Sequence, residues 1–335
     1  MKIDLHTHII PEQLPDWAQK FGYGDFVSVQ HHAPCKARMM KGEKFFREIE
    51  DNCWSAERRI EDCDRDGVDV QVLSTIPVLF SYWAKPEHGH DVVRFLNDHI
   101  AEVARAAPRR FVGLGTLPMQ SPELAIRELE RCVGELGFPG VEIGTHVNQW
   151  NLDDAPVVAV LQRAAELNAA VFVHPWDMMG SERMTRYMLP WIVGMPAETS
   201  LAICSMIFGG VFDALPTLRV AFAHGGGAFP GTLPRIEHTY HARPDLCAKH
   251  SANPRSYLGR FYVDSLVHDA DALRALLAIF GENRVTLGSD YPFPLGEAPP
   301  GKIIDAMVDL APNIRDRLLA KNCLEFLQID KSRIA

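Results

Sequence analysis

The feature that most constrains the fold is the alternation of short apolar runs with longer helical segments. Eight runs rich in Val, Ile, Leu or Phe are short enough for buried strands: residues 3–8, 68–74, 111–117, 140–145, 170–174, 219–224, 261–265 and 285–290. Helical segments lie between them, at residues 57–66, 91–107, 122–136, 154–168, 197–212 and 270–280. This alternation indicates an α/β protein with a parallel sheet, and the count of eight favours a closed (β/α)8 TIM barrel.

One connection is too long for an ordinary strand-to-helix loop. Residues 11–52 separate the first strand from its helix; residues 26–30 alternate in polarity and residues 38–46 resemble a hairpin around Lys41-Gly42. We interpret 11–52 as a small β insertion over the mouth of a single 1–335 barrel domain. Barrel active sites form at the carboxyl ends of the strands, so an insertion there lies beside the chemistry.

Four of the expected strands end in groups that bind metals. The first ends with His6 and His8, and others end with His174, His224 and Asp290. Residues i and i+2 of a strand share a face, so both His6 and His8 can point inward. Three imidazoles and one carboxylate predict a first-row metal site, most naturally zinc, and leave a fourth histidine to handle a proton of metal-bound water.

Composition and charge exclude several classes of partner. The net charge of −9 argues against binding nucleic acid or an anionic membrane. The longest nearly apolar stretch, residues 201–212, is too short to span a bilayer, and the N-terminus lacks the apolar run of a signal peptide. Seven cysteines without a CxxC pair indicate reduced thiols, so we expect a cytoplasmic protein.

These motifs resemble the amidohydrolase superfamily, whose members are metal-dependent (β/α)8 barrels. Longer segments resemble decarboxylases of that superfamily: FGYG at 21–24, YWAKP at 82–86, HPWDMM at 174–179, MLPW at 188–191, MPAET at 195–199, AHGGG at 223–227 and DYPFPLGE at 290–297. The resemblance implies a zinc enzyme of tryptophan catabolism. It would decarboxylate 2-amino-3-carboxymuconate 6-semialdehyde to 2-aminomuconate 6-semialdehyde and so limit quinolinate formation.

The resemblance also assigns roles to residues. It implies that one zinc per chain is held by His6, His8, His174 and Asp290, and that His224 handles the proton. It further implies that Arg47 and Arg235 bind substrate carboxylates, with Arg235 reaching across from the neighbouring subunit of a homodimer. We expect three loop side chains to form a wall against a planar substrate: Met178, Trp191 and Phe293.

Some alternatives stay open at the level of sequence. The fourth strand has no lysine, which favours one metal, although Glu142 on that strand could bridge two. The metal could supply hydroxide that adds to the substrate, or it could polarise the substrate while His224 protonates carbon. The rival functions are a cyclic ester or amide hydrolase, a decarboxylase of salicylate-like acids, and a non-catalytic zinc-binding scaffold.

Overall fold

The computed structural model describes residues 1–247 and 252–334. Its strands, in chain order, are β1 (Ile3–Ile9), β2 (Val27–Ala33), β3 (Lys36–Lys41), β4 (Lys44–Glu50), β5 (Val70–Thr75), β6 (Phe111–Gly113), β7 (Gly115–Thr116), β8 (Gly140–Gly144), β9 (Ala170–His174), β10 (Arg219–Phe222), β11 (Tyr262–Asp264) and β12 (Val285–Thr286). Every apolar run predicted to be a strand contains one of these elements.

The parallel strands close into a barrel. Hydrogen-bonded neighbours follow the order β1-β5-β6 and β7-β8-β9-β10-β11-β12. β6 and β7 are two halves of one strand interrupted at Leu114, whose N–H donates to the Leu73 carbonyl at 2.8 Å. The ends of the ring meet where Leu5 N–H donates to the Leu287 carbonyl at 3.0 Å and His8 N–H to the Tyr291 carbonyl at 2.8 Å. The predicted (β/α)8 barrel is therefore confirmed.

Helices cover the outside of the barrel. They are α1 (Trp17–Phe21), α2 (Ala56–Asp66), α3 (Pro86–Ala106), α4 (Pro122–Gly134), α5 (Ala155–Glu166), α6 (Met195–Phe208), α7 (Val211–Ala214), α8 (Phe229–Ala242), α9 (Pro244–Cys247), α10 (Ala270–Phe280), α11 (Lys302–Ala306), α12 (Pro312–Asp316) and α13 (Asn322–Leu327). The predicted helix over 197–212 is divided into α6 and α7, because Gly210 adopts a left-handed φ of 76°.

One helical stretch is longer than the sequence suggested. Residues Pro190–Phe208 form one continuous helical stretch. By its length and composition alone, this stretch is long and apolar enough to cross a membrane. Core helices of soluble proteins pass the same test, and Ala202, Ile203, Met206 and Ile207 of this stretch are buried in the main apolar core. The membrane criterion is therefore weak evidence here.

The insertion after β1 forms a three-stranded antiparallel sheet in the order β2-β3-β4. Lys41 pairs with Lys44 across the tight turn at Gly42, as the hairpin prediction required. Its apolar face, including Met39 and Ile49, packs with Ile76 and Val78 from the loop after β5. This packing holds β4 beside the carboxyl ends of the barrel strands.

Candidate metal centre and substrate pocket

All five predicted metal-site side chains meet at the carboxyl end of the barrel. His8 Nε2 lies 3.2 Å from His6 Nε2 and 3.1 Å from Asp290 Oδ1. The ring centroid of His174 lies 5.0 Å from that of His6, 5.0 Å from that of His8 and 5.0 Å from that of His224. The convergence expected from strand ends is therefore present.

One set of four groups with neighbouring ligand atoms differs from the predicted ligands, because it contains His224 in place of His8. Nitrogen or oxygen atoms of His6, His174, His224 and Asp290 all fall within 4.8 Å of one another. His8 lies beside two of these groups, so the centre offers four imidazoles and one carboxylate.

The hydrogen bonds of the histidines fit a metal. His8 Nδ1 bonds the Thr75 carbonyl at 2.9 Å and His174 Nδ1 bonds the Pro175 carbonyl at 2.9 Å. A carbonyl can only accept, so each Nδ1 carries the proton and each Nε2 keeps its lone pair. His174 Nε2 is buried without a hydrogen-bond partner in the described part of the chain. A divalent cation would satisfy this orphaned nitrogen.

Electrostatics keep most of these groups in the metal-binding form. Burial lowers the pKa of His174 well below its usual value and lowers the pKa of His224 to about 4. Burial alone would raise the pKa of Asp290, but the hydrogen bond to His8 and the nearby histidine charges outweigh it and bring that pKa to about 2. Neutral imidazole and ionised carboxylate are the forms that bind a metal. His224 therefore titrates below the near-neutral range expected from an unperturbed imidazole.

Two of the five groups lie just beyond their strands, in a backbone conformation that sequence periodicity does not reveal. His224 has φ 55° and Asp290 has φ 58°, both in the left-handed region. Such strain at non-glycine residues collects at functional sites. The glycines after His224 permit the turn: a Cβ on Gly227 would lie 2.6 Å from the Pro196 carbonyl oxygen. The chain therefore makes a tight turn at this glycine run.

Asp264, at the end of β11, is a site residue that the sequence analysis missed. It is fully buried, and its carboxylate accepts from His6 Nδ1 at 2.7 Å and from the His224 N–H at 2.9 Å. Burial lowers the pKa of His6, but the Asp264 hydrogen bond and charge outweigh it and leave that pKa raised. The sequence did contain a signal for this residue, because Asp264 is a carboxylate at the end of a further barrel strand.

Arg59 of α2 supports the metal centre through hydrogen bonds to β1. Its guanidinium is fully buried, donates to the His8 carbonyl at 2.7 Å and to Thr7 Oγ1 at 3.2 Å, and lies 4.8 Å from the Tyr291 ring centroid. It also donates to the Asn52 carbonyl and to the Gln71 side chain. Arg59 thereby ties β1 to the residue that follows Asp290.

A pocket of about 410 Å³ opens onto the metal-site residues. Its lining includes His8, His174 and Asp290 together with three of the predicted substrate-binding residues, Arg47, Trp191 and Phe293. The Arg47 guanidinium lies 4.1 Å from the Phe293 ring centroid, and burial lowers its pKa. A cation and aromatic faces in one cleft suit a planar carboxylate.

Three other residues considered from the sequence lie elsewhere. Met178 is buried beside Gly194 and is not among the residues that line this pocket. Arg235 is exposed on α8. Glu142 is fully buried on β8, with Oε1 3.8 Å from His8 Nδ1, the nitrogen that bonds the Thr75 carbonyl. Since that nitrogen faces away from the histidine cluster, this contact does not bring Glu142 to the ligand atoms.

Known proteins resemble this chain over nearly its full length. The family model described as Amidohydrolase matches residues 3–329. The 2-amino-3-carboxymuconate-6-semialdehyde decarboxylase of Dictyostelium discoideum is 56% identical over 334 residues, 99% of this chain and 93% of its own. The Caenorhabditis elegans protein of that name is 38% identical, with 99% of this chain and 95% of its own covered.

A solved structure of a decarboxylase shares the fold of this chain. The 5-carboxyvanillate decarboxylase of Novosphingobium aromaticivorans, complexed with manganese and 4-hydroxy-3-methoxy-5-nitrobenzoic acid, superposes with a TM-score of 0.76 and 26% identity. The match covers 83% of this chain and 82% of that one. The fold is thus shared with a metal-binding decarboxylase.

Proposed function

The chain belongs to the amidohydrolase family, and from that premise we propose that it is a metal-dependent carboxy-lyase. Its reaction is the non-oxidative decarboxylation of 2-amino-3-carboxymuconate 6-semialdehyde to 2-aminomuconate 6-semialdehyde. The observation that carries the proposal is the position of Arg47, which lies in one pocket with His174 and Asp290. Within the described residues its guanidinium has no carboxylate hydrogen-bond partner, so it is available to a substrate carboxylate.

The metal is one zinc ion per chain, with His6, His8, His174 and Asp290 as ligands. The orphaned Nε2 of His174 and the nearby Asp290 carboxylate support a divalent cation, and a donor set rich in imidazole suits zinc. When bound, zinc supplies Lewis acidity that polarises a ligand and lowers the pKa of water. Elemental analysis of fully active protein should give one equivalent; two equivalents would implicate Glu142 or His224 in a second site.

The side chains of the pocket perform the remaining steps. Arg47 binds a substrate carboxylate, and Trp191 and Phe293 flank the planar conjugated chain. The carbon–carboxylate bond breaks, CO2 leaves, and the bonding electron pair stays in the conjugated system. His224, neutral in the buried site, takes up a proton from solvent and delivers it to the carbon that lost CO2, so one proton replaces one CO2. Met178 packs close to Gly194, at the end of the helical turn that carries Trp191.

The active form is a homodimer in which Arg235 completes the neighbouring pocket. Arg235 is exposed on its own subunit, as a residue must be if it serves another. Large apolar side chains are also exposed near the start of α6, which a subunit interface would cover: Tyr187, Met188, Ile192, Val193 and Leu201. All seven cysteines are free thiols, which supports a cytoplasmic location. There the enzyme acts in tryptophan catabolism and limits quinolinate formation.

The decisive experiment supplies freshly generated 2-amino-3-carboxymuconate 6-semialdehyde to zinc-loaded protein. We expect loss of its near-ultraviolet absorbance together with stoichiometric release of CO2, and neither change with His224→Ala. The same protein should be offered 2,6-dihydroxybenzoate and a lactone in parallel. The proposal is wrong if metal-replete protein leaves the muconate unchanged or turns over either alternative faster.

A further inference from the structure

Asp264 lies behind the metal centre, where it does not line the substrate pocket. Its two oxygens accept four N–H groups. Oδ2 accepts from His6 Nδ1 at 2.7 Å and from the His224 N–H at 2.9 Å, and Oδ1 accepts from the Gly225 N–H at 2.8 Å and the Leu266 N–H at 3.1 Å. One carboxylate therefore contacts both a predicted zinc ligand and the backbone of the predicted proton-transfer residue.

We propose that Asp264 is a positioning residue that fixes the tautomer of His6 and the backbone of His224 for metal binding and proton transfer. This inference rests on the proposed metal site, but not on the substrate assigned to it. An ionised carboxylate only accepts, so the Nδ1 of His6 must carry its proton. The Nε2 lone pair then faces the cluster, 3.2 Å from His8 Nε2 and 3.5 Å from Asp290 Oδ1.

The neighbouring strand leaves room for this pair. Gly288 follows β12, and a Cβ placed there would lie 2.7 Å from the Asp264 Cβ and 2.9 Å from the His6 Cβ. Any side chain at this position would therefore push directly on Asp264 and His6. Glycine is needed at position 288 because Asp264 and His6 both approach its backbone closely. These are the two residues whose side chains form the hydrogen bond.

An amide in place of the carboxylate tests the role directly. Asparagine has one acceptor oxygen and one NH2 donor. If the oxygen faces Gly225 and Leu266, the NH2 meets His6 Nδ1, which can accept only when the imidazole proton is on Nε2. That tautomer has no lone pair for the metal. If the amide is reversed, Gly225 and Leu266 lose their acceptor and the turn that carries His224 is no longer held.

The experiment compares Asp264→Asn with Asp269→Asn. Asp269 follows the same strand, is exposed, and caps α10 by accepting from the Asp271 and Ala272 N–H groups at 2.9 Å each. Asparagine caps helices equally well, so this variant should behave as wild type. We expect Asp264→Asn to lose about 10–100-fold in zinc affinity, measured by chelator competition on folded protein. Unchanged zinc affinity in folded Asp264→Asn would overturn the proposal.

A second measurement needs no variant of Asp264. In metal-free protein labelled with [15N]histidine and held at a pH where the His6 ring is neutral, the His6 signal, assigned by its loss in His6→Gln, should report the Nδ1–H tautomer. An Nε2–H tautomer would overturn the proposal even if Asp264→Asn failed to fold. Zinc affinity and tautomer are both measured without substrate. Their confirmation alongside a failure to decarboxylate the muconate would therefore refute the proposed substrate and leave this inference standing.

Discussion

Replacing Arg47 by methionine should weaken substrate binding while leaving the metal centre intact. Arg47 is carried by β4 of the insertion, lies 4.1 Å from the Phe293 ring centroid, and is held among apolar groups that lower its pKa. Methionine fills similar space but cannot pair with a carboxylate. A hydrogen bond to a charged group contributes about 1.5–3 kcal/mol, which corresponds to roughly a 10- to 150-fold loss of kcat/KM.

The matched control is Arg38→Met on the adjacent strand β3. Arg38 is exposed and its Nε lies 3.4 Å from Glu48 Oε2, an arrangement that contributes little at a surface. Both variants should bind one zinc with wild-type affinity, and the kinetic assay is the initial loss of substrate absorbance over a range of concentrations. If Arg47→Met loses less than threefold in kcat/KM, or loses no more than Arg38→Met, the assignment of Arg47 to the substrate carboxylate is wrong.

Three further predictions separate metal binding, subunit exchange and stability. His174→Ala should lose both zinc and turnover, whereas His224→Ala should keep zinc and lose about 10²–10⁴-fold in turnover; a metal-free His224 variant would make His224 a ligand. Mixing Arg235→Ala with His174→Ala should restore part of the activity through hybrid dimers, and no recovery after verified subunit exchange would refute the shared site. Arg59→Met removes four hydrogen bonds, three of them buried, so at about 1 kcal/mol each it should lower the free energy of unfolding in urea by about 4 kcal/mol. Arg127→Met on α4, whose side chain is 59% exposed and whose partner Glu123 is 84% exposed, should change it by less than about 1 kcal/mol, and equal losses would refute the bracing role of Arg59.

The barrel could be predicted because its strands are apolar on both faces. Such strands appear as continuous runs of Val, Ile and Leu, and the run at Ala170–His174 coincides with β9 to the residue. The predicted strand ends were less accurate where a strand is followed by a buried turn. β10 ends at Phe222 and β12 at Thr286, although the apolar runs continue to His224 and Asp290. Hydrophobicity cannot distinguish the last residue of a strand from a buried turn.

The metal site could be predicted in part for a related reason. His6, His8, His174, His224 and Asp290 all follow apolar runs, and parallel strands bring such ends to one mouth. Of the two supporting residues, Asp264 also ends a barrel strand, whereas Arg59 carries no comparable signal. Arg59 is one of several charged residues in a helix with an ordinary amphipathic pattern, and only the structure reveals that its guanidinium is fully buried. Asp264 was hidden because its partners are the His6 ring and backbone N–H groups distant in sequence.

Metal binding and substrate binding are carried by different parts of the chain, and this division has a physical reason. The metal-site side chains sit on barrel strands or the turns directly after them, where Arg59 and Asp264 hold them through buried hydrogen bonds. Arg47 comes from the antiparallel insertion and Phe293 from a loop, whereas Trp191, which was expected on a loop, lies in the first turn of the helical stretch that leads into α6. A metal site needs fixed ligand geometry, whereas substrate specificity changes with the groups that surround it. The shared fold of a carboxyvanillate decarboxylase is consistent with this arrangement, because the same barrel can accept a different acid if the surrounding loops change. Substitutions in the insertion should therefore alter KM and substrate choice without changing zinc affinity. Substitutions of Arg59 or Asp264, which hold the metal-site side chains, should instead alter zinc affinity.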